Sequence, residues 1–278
     1  MLKQRIITAV VIVLVLSAAL AYLSAPLLAV FFGVAVLMAA WEWADMCSII
    51  KPIGRAAYVL LCLLLMIAVY WRTGLFGEHN TEAIREIFLV AGLWWAIALL
   101  WVKSYPQSAG LWGSKPMRGL IGVLVLVPAW LALSYLRSLD NGVWMILMVV
   151  SIVVAADVGA YFSGRRFGKA KLAVAVSPGK SWAGFWGGLF CSVSLMALLW
   201  TFWPGGMPVA LLPMLCLGLI TALASVLGDL LESMVKRHRG IKDSGHLLPG
   251  HGGIMDRIDS ITAAAPVFSL GLMAAGWA

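Results

Sequence analysis

The sequence predicts an all-α, polytopic integral membrane protein of about nine transmembrane helices, with its N-terminus cytoplasmic and its C-terminus on the outer side. Three observations predict it. Of the 278 residues, 63% are hydrophobic and only 12% are charged, against an apolar share of roughly 45–50% in soluble domains; mean hydropathy is +0.98. The apolar residues gather in runs of about 20, the length a helix needs to cross hydrocarbon with its backbone satisfied internally. The basic residues collect in alternate loops between those runs, as a positive inner face requires.

The expected spans, in order, are residues 6–23, 26–45, 56–71, 86–102, 119–136, 142–162, 184–202, 208–231 and 258–278. The first follows Lys3 and Arg5, as a secretory leader would, but its apolar run of about 18 residues is too long for a leader core and reads as a membrane helix. Ser24-Ala25-Pro26 makes a tight turn into the second. After the third, "RTGLFGEHNTEAIREIF" (Arg72–Phe88) is expected to face outward as a short surface helix, with His79 a solvated loop residue. The fourth ends at Lys103, and the fifth follows Lys115 and Arg118. The sixth carries Asp157 inside its end. The uncharged "PGGMP" joins the seventh and eighth. This divides the chain into five N-terminal helices (1–136) and a C-terminal catalytic region (137–278) of four helices with two polar cytoplasmic loops. No internal repeat points to a transporter's halves.

Nine spans put all but three of the 20 Lys and Arg residues on one side; only Arg72, Arg85 and Arg137 fall on the other. The formal net charge of +8 therefore reports orientation in a cytoplasmic (inner) membrane, not a nucleic-acid partner. Cys47, Cys62, Cys191 and Cys216 lie in or beside apolar runs without a close pair, so they read as packing residues.

The chemistry concentrates in two cytoplasmic loops and the helix ends beside them. Asp157 sits in "SIVVAADVGAYFSG", where a central carboxylate costs roughly 2.5–3.5 kcal/mol and so needs a partner, a cation or a wet cavity. Asp229, Ser233 and Lys236 fall at i, i+4 and i+7 on one face if the eighth helix continues. Glu232 and Lys236 read as an i,i+4 ion pair. Asp256 and Asp259 open the ninth helix in "GGIMDRIDS", where helix capping is the alternative for Asp259. Asp229 and Asp256 can meet at the base of one helical hairpin, where a divalent cation would relieve their repulsion; Mg²⁺ takes one or two carboxylates and completes its shell with water and phosphates. "GRRFGKAKLAVAVSPGKSWAG" mixes glycines, basic residues and hydroxyls in the manner of a phosphate cradle, but it is no Walker A loop. His246 and His251 lack the cysteines or HExxH spacing of a zinc site. His251 is expected to bond phosphate or loop backbone.

With those residues on the page, "SMVKRHRGIKDSGHLLPGHGGIMDRIDS" resembles the signature segment of the phosphatidate cytidylyltransferases (CDP-diacylglycerol synthases). Ser233, Lys236-Arg237, Lys242-Asp243, Pro249, His251-Gly252-Gly253, Asp256-Arg257 and Asp259 stand at the family's spacing. The upstream "ADVGAYFSGRRFGK…SPGKSWAG" is similar too, departing at Ala183, where the family usually has a polar side chain. The resemblance covers the C-terminal half. It implies CTP and phosphatidic acid as substrates, CDP-diacylglycerol and pyrophosphate as products, and Mg²⁺ as cofactor, with Mn²⁺ as a substitute and a second cation, monovalent included, left open.

On this reading Asp229 and Asp256 hold Mg²⁺ on the CTP phosphates. Lys236, Arg237, Lys242 and Arg257 neutralise the triphosphate and the lipid phosphate, and Asp243 holds a second cation or orients a lysine. Ser177, Lys180, Ser181, Ser233, His251 and Asp157 complete the substrate contacts. A CTP-dependent polyprenol or lipid kinase would need a similar membrane-edge site, and a cation transporter would need polar residues spread through the membrane depth. "GFWGG" (Gly184–Gly188) has a GxxxG spacing that allows close helix packing within a chain or in a homodimer.

Overall fold

A computed structural model describes residues 2–203 and 209–277. Its helices are α1 (Leu2–Tyr22), α2 (Ala25–Met46), α3 (Pro52–Thr73), α4 (Thr81–Lys103), the single-turn α5 (Ala109–Trp112), α6 (Lys115–Ser138), α7 (Gly142–Phe167), α8 (Trp182–Phe202), α9 (Leu211–Arg239) and α10 (Met255–Ala274). A two-stranded antiparallel hairpin, β1 (Lys171–Ala173) and β2 (Ser177–Ser181), lies between α7 and α8. Seven helices, α2–α4 and α6–α9, are long and apolar enough to cross a membrane. The apolar part of α1 is the shorter Ile6–Tyr22, and α10 starts with Asp256, Arg257 and Asp259 among its first five residues.

The helices start and stop where backbone chemistry dictates. Prolines stand at the first turn of α2, α3 and α6, where a missing N–H costs nothing. Asn80 caps α4 by accepting from Ala83 N at 3.0 Å, and Ser181 caps α8 by accepting from Gly184 N at 3.2 Å. Gly240 ends α9 in the left-handed region, with φ of 81°, a conformation glycine adopts without strain.

Five expectations need correction. The polar loop before α8 is not wholly irregular, because it contains the hairpin. No separate surface helix forms within Arg72–Phe88: Glu82, Arg85 and Glu86 belong to the first turns of α4, whereas the short helix, α5, forms on the other side of α4. His79 is exposed, as expected, with Nε2 2.8 Å from Leu75 O. α7 runs five residues beyond its expected end and α9 eight beyond, while α10 starts three residues early. Hydropathy marks where lipid stops, and a helix of Ser, Arg, Lys and Glu continues into the polar layer. The "PGGMP" turn and the last residue of the ninth span lie outside the described residues.

α6 is the most enclosed of the seven apolar helices, with 72% of its apolar stretch buried, and α3 the least, with 17%. Indole and phenol groups lock α6 to its neighbours: Trp43 Nε1 donates to Arg118 O at 2.8 Å, Trp130 Nε1 to Ala29 O at 2.9 Å and Tyr58 OH to Gly119 O at 2.8 Å. α10 packs on α9 and α7 and also on α4 and α6, and so joins the C-terminal helices to the N-terminal ones.

The GxxxG of α8 is used within the chain. A Cβ on Gly188 would meet Ala156 O at 2.6 Å and one on Gly184 would meet Ala160 O at 2.9 Å, so glycine permits the α7–α8 approach. Polar contacts gather the cytoplasm-assigned helix ends at one end of the bundle. Arg55 reaches Asp45 at 2.5 Å, Arg239 Nε donates to Asp45 O at 3.0 Å, and Arg118 Nη1 donates to Met46 O at 2.5 Å. Thr8 Oγ1 donates to Pro249 O at 3.0 Å, which joins the start of α1 to the signature loop.

Candidate active site

At this end a cavity of about 380 Å³ opens between α7, the hairpin, α8, α9 and α10. Asp157, Arg165, Lys180, Ser181, Asp229 and Ser260 supply its polar lining. Lys180, on β2, reaches across it to Asp229 on α9, with Nζ 2.6 Å from Oδ2. Ser233 Oγ donates to the other oxygen of Asp229 at 3.3 Å. Asp157 lines the same space with no hydrogen bond or ion pair among the described residues; Asp229, Lys180 and Arg257 act on it electrostatically. Four residues from three separate segments of sequence, Asp157, Lys180, Ser181 and Asp229, are thus brought to one cavity.

Beside it, Lys236 stands between two carboxylates. Its Nζ lies 2.5 Å from Asp256 Oδ1 and pairs one turn back with Glu232, the expected i,i+4 pair. The Glu232 side chain is 1% exposed, and its Oε1 meets no donor among the described residues. Asp256 Oδ2 accepts from Ser244 N at 2.9 Å and Gly253 N at 2.8 Å. The capping role weighed for Asp259 falls to Glu42 of α2, which accepts from Ile254 N and Met255 N at the start of α10. Asp259 accepts from Ser260 N at 2.7 Å, under the fields of Asp229, Lys236 and Lys180. α9 and α10 approach closely here: a Cβ on Gly228 would clash with the Asp259 carbonyl.

The remaining sequence-assigned residues lie around these two groups. Arg237 donates to Val176 O at 3.3 Å and Ile241 O at 3.2 Å, so it braces the hairpin turn against the end of α9. Ser177 pairs with Ala173 across the hairpin. Lys242, Asp243 and Arg257 are exposed and form no ion pair among the described residues. Asp243 and His246 face a second cavity of about 630 Å³ together with Trp41, Glu42, Asp45 and Arg55. His251 does not bond the loop through its side chain: Nδ1 is buried without a partner among the described residues. Only its backbone N–H does so, donating to Leu248 O at 2.9 Å.

Sequence reasoning missed Glu42, whose carboxylate accepts from Ser244 Oγ, Ile254 N and Met255 N. The signal was present: a glutamate in "AVLMAAWEWADM" is as anomalous in an apolar helix as Asp157, and the same rule asks for its partner. Ser244, Ser260 and Arg165 were missed as well, because a lone hydroxyl or arginine stands out only once its neighbours in the fold are known.

The two carboxylates assigned to Mg²⁺, Asp229 and Asp256, are each held by a lysine ammonium. No group of three or more His, Cys, Asp or Glu side chains suited to a metal occurs among the described residues. The donors fit Mg²⁺ by their chemistry. They are hard carboxylate oxygens and each already accepts positive charge, but Asp229 lines the cavity with Lys180 whereas Asp256 is held outside that lining by Lys236 and two loop amides.

The sequence matches the cytidylyltransferase family over residues 3–274. It is 44% identical to a phosphatidate cytidylyltransferase of Pseudomonas aeruginosa, covering 100% of this chain and 99% of the relative. It is 37% identical to one of Haemophilus influenzae, covering 97% and 98%, and 33% identical to one of Mycobacterium bovis, covering 95% and 86%. A match that spans both halves of the chain, and so includes the cavity, the signature loop and Glu42, establishes that the chain belongs to the cytidylyltransferase family.

Proposed function

We infer that this protein transfers the cytidylyl group of CTP to phosphatidic acid, releasing pyrophosphate and forming CDP-diacylglycerol. The observation that carries the reading is the polar cavity in which Lys180 and Asp229 face Asp157, joined to an apolar groove. The groove, of about 740 Å³, is lined by Trp95, Leu99, Val102, Trp182 and Leu223, and shares Leu172, Phe185 and Val226 with the cavity. A lipid phosphate with attached acyl chains needs those two environments side by side.

The phosphate oxygen of phosphatidic acid is ionised at neutral pH and attacks the α-phosphorus of CTP. The bond from that phosphorus to the bridging oxygen breaks, and pyrophosphate leaves. No strong general base is needed, so rate comes from position and charge. Lys180 and Arg165 supply positive charge at the cavity, and Lys242 and Arg257 supply it from exposed positions at its approach. Asp229 and Asp256 would hold Mg²⁺, which supplies positive charge to the phosphates when bound; Mn²⁺ would serve in its place. Lys236 fixes Asp256 and neutralises Glu232, a role that leaves it less free for phosphate than its place in the signature suggested.

The chain crosses the inner membrane nine times, α1 and α10 included, with the N-terminus and the active site at the cytoplasmic face. The alternation of basic loops and the contacts among helix ends support this orientation.

CTP labelled at the α- or γ-phosphorus tests the reaction with purified protein and phosphatidic acid. The α-label should enter the lipid and the γ-label should leave as pyrophosphate. Transfer of γ-label to lipid with release of CDP would instead identify a kinase. Asp229→Asn and Asp256→Asn should each abolish turnover while the folded protein stays in the membrane; near-normal rates in either overturn its role at the cation.

A further inference from the structure

Glu42 is buried in α2, and its carboxylate is spent on groups more than 200 residues away. Oε2 accepts from Ser244 Oγ and Met255 N, each at 2.8 Å, and Oε1 accepts from Ile254 N at 3.0 Å. Ser244 lies in the loop after α9 and Met255 opens α10, so one side chain joins both ends of the segment between them. The electropositive start of α10 adds to the attraction, and a carboxylate in an apolar helix is tolerable when such donors meet it. The fit is close. A Cβ on Gly245 would stand 2.5 Å from Glu42 Oε1, and one on Gly253 would overlap its carboxylate.

Asp256 closes the same loop a second time, through Ser244 N and Gly253 N. The two staples differ in their other duties. Asp256 also pairs with Lys236 and is assigned to a cation, whereas the hydrogen bonds of Glu42 among the described residues all go to Ser244 and the start of α10. We propose that Glu42 is a positioning residue for the transfer reaction: it holds Ser244 and the start of α10 in place, and so fixes the loop on which Asp256, the residue that would hold a cation, depends for its orientation. The proposal rests on the reading of the site given above.

Purified full-length Glu42→Gln and Glu42→Asp proteins test it. Glutamine turns an amide NH2 toward backbone donors, and aspartate is one methylene too short to reach both ends of the loop. In metal-free protein, amide hydrogen exchange across residues 243–256 should rise about tenfold in both variants, with α3 and α8 unchanged, because a lost bond to a charged acceptor weakens local closure by that order. The Mg²⁺ concentration for half-maximal transfer should also rise about tenfold, a shift that a smaller folded fraction does not produce. Unchanged exchange in 243–256 overturns the proposal, as does unchanged Mg²⁺ half-saturation in a variant whose exchange has risen. Should either variant fail to fold, Ser244→Ala removes a single donor from Glu42, and the same two quantities should rise about threefold; no rise in either overturns the proposal. Wild-type protein without transferase activity overturns the reaction, and the Mg²⁺ arm with it, whereas the exchange arm judges the staple by itself.

Discussion

Lys180 Nζ lies 2.6 Å from Asp229 Oδ2, so a β-hairpin and a membrane helix are tied together across the mouth of one cavity. The side chains are 27% and 29% exposed, sheltered enough for the pair to hold its geometry and open enough for a phosphate to reach the ammonium. The hairpin sets where Lys180 points: β2 continues into Ser181, which caps α8, and Lys171 pairs with Ser181 across the strands. The lysine therefore stands on a braced element, which suits a charge that must meet a transition state without reorganising.

Lys180→Met should lower kcat/KM by about a hundredfold, the usual loss when one preorganised donor is removed from a developing anion. Stability should change by about 1 kcal/mol, since an ion pair that solvent still reaches contributes little. Steady-state kinetics beside thermal unfolding in detergent checks both; a large fall in melting temperature with normal activity would make Lys180 a structural residue.

Lys236 and Lys242 carry the same charge in the same signature but should respond in opposite ways. Lys236→Met leaves Glu232 and Asp256 facing each other in a buried site, and breaking such an arrangement costs about 3–5 kcal/mol. A large drop in unfolding temperature is expected before activity is considered. Lys242→Ala removes an exposed ammonium and should leave the unfolding temperature unchanged while raising KM for CTP or phosphatidic acid. Thermal unfolding followed by substrate titration separates the two.

Much of this was legible in the sequence, and the limits have physical reasons. The membrane class and order of spans follow from hydropathy, and the face that gathers charge follows from loop composition. Asp229, Ser233 and Lys236 were placed on one helix face because periodicity survives the membrane boundary. The helix ends were misplaced because polar helix formers carry α7 and α9 beyond the hydrocarbon. The hairpin was missed because "KLAVAVSPGKS" is too short for alternation to separate it from a loop. The partners of Asp256, two backbone amides and one lysine, depend on how the loop closes on itself. Glu42 was visible as an anomaly, but its partners required the tertiary fold.

Removal of divalent cations with EDTA should abolish transfer, and added Mg²⁺ should restore it, with Mn²⁺ effective in its place. If Asp229 and Asp256 accept the cation in exchange for their lysines, thermal unfolding should shift upward on adding Mg²⁺ to the wild-type protein, by about 2.7 kcal/mol at a hundredfold excess over Kd. Asp229→Asn should lose that shift. An equal shift in the variant would place the cation elsewhere.

The apolar groove yields a prediction that separates the two substrates. Ala96 on α4 lines it and is exposed, so Ala96→Trp fills groove volume without displacing a buried core residue. Acyl chains occupying the groove would then compete with the indole, and KM for long-chain phosphatidic acid should rise by about tenfold, the order by which an apolar pocket discriminates. A short-chain phosphatidic acid that does not reach Ala96 should be affected far less, and KM for CTP should not change, because no residue of the Lys180–Asp229 pair has moved. The ratio of kcat/KM for long- and short-chain substrates, measured in mixed micelles at fixed surface concentration, gives the result. An unchanged ratio would remove the groove from the lipid's path. A rise in KM for CTP alone would mean that the nucleotide, not the lipid, lies along α4.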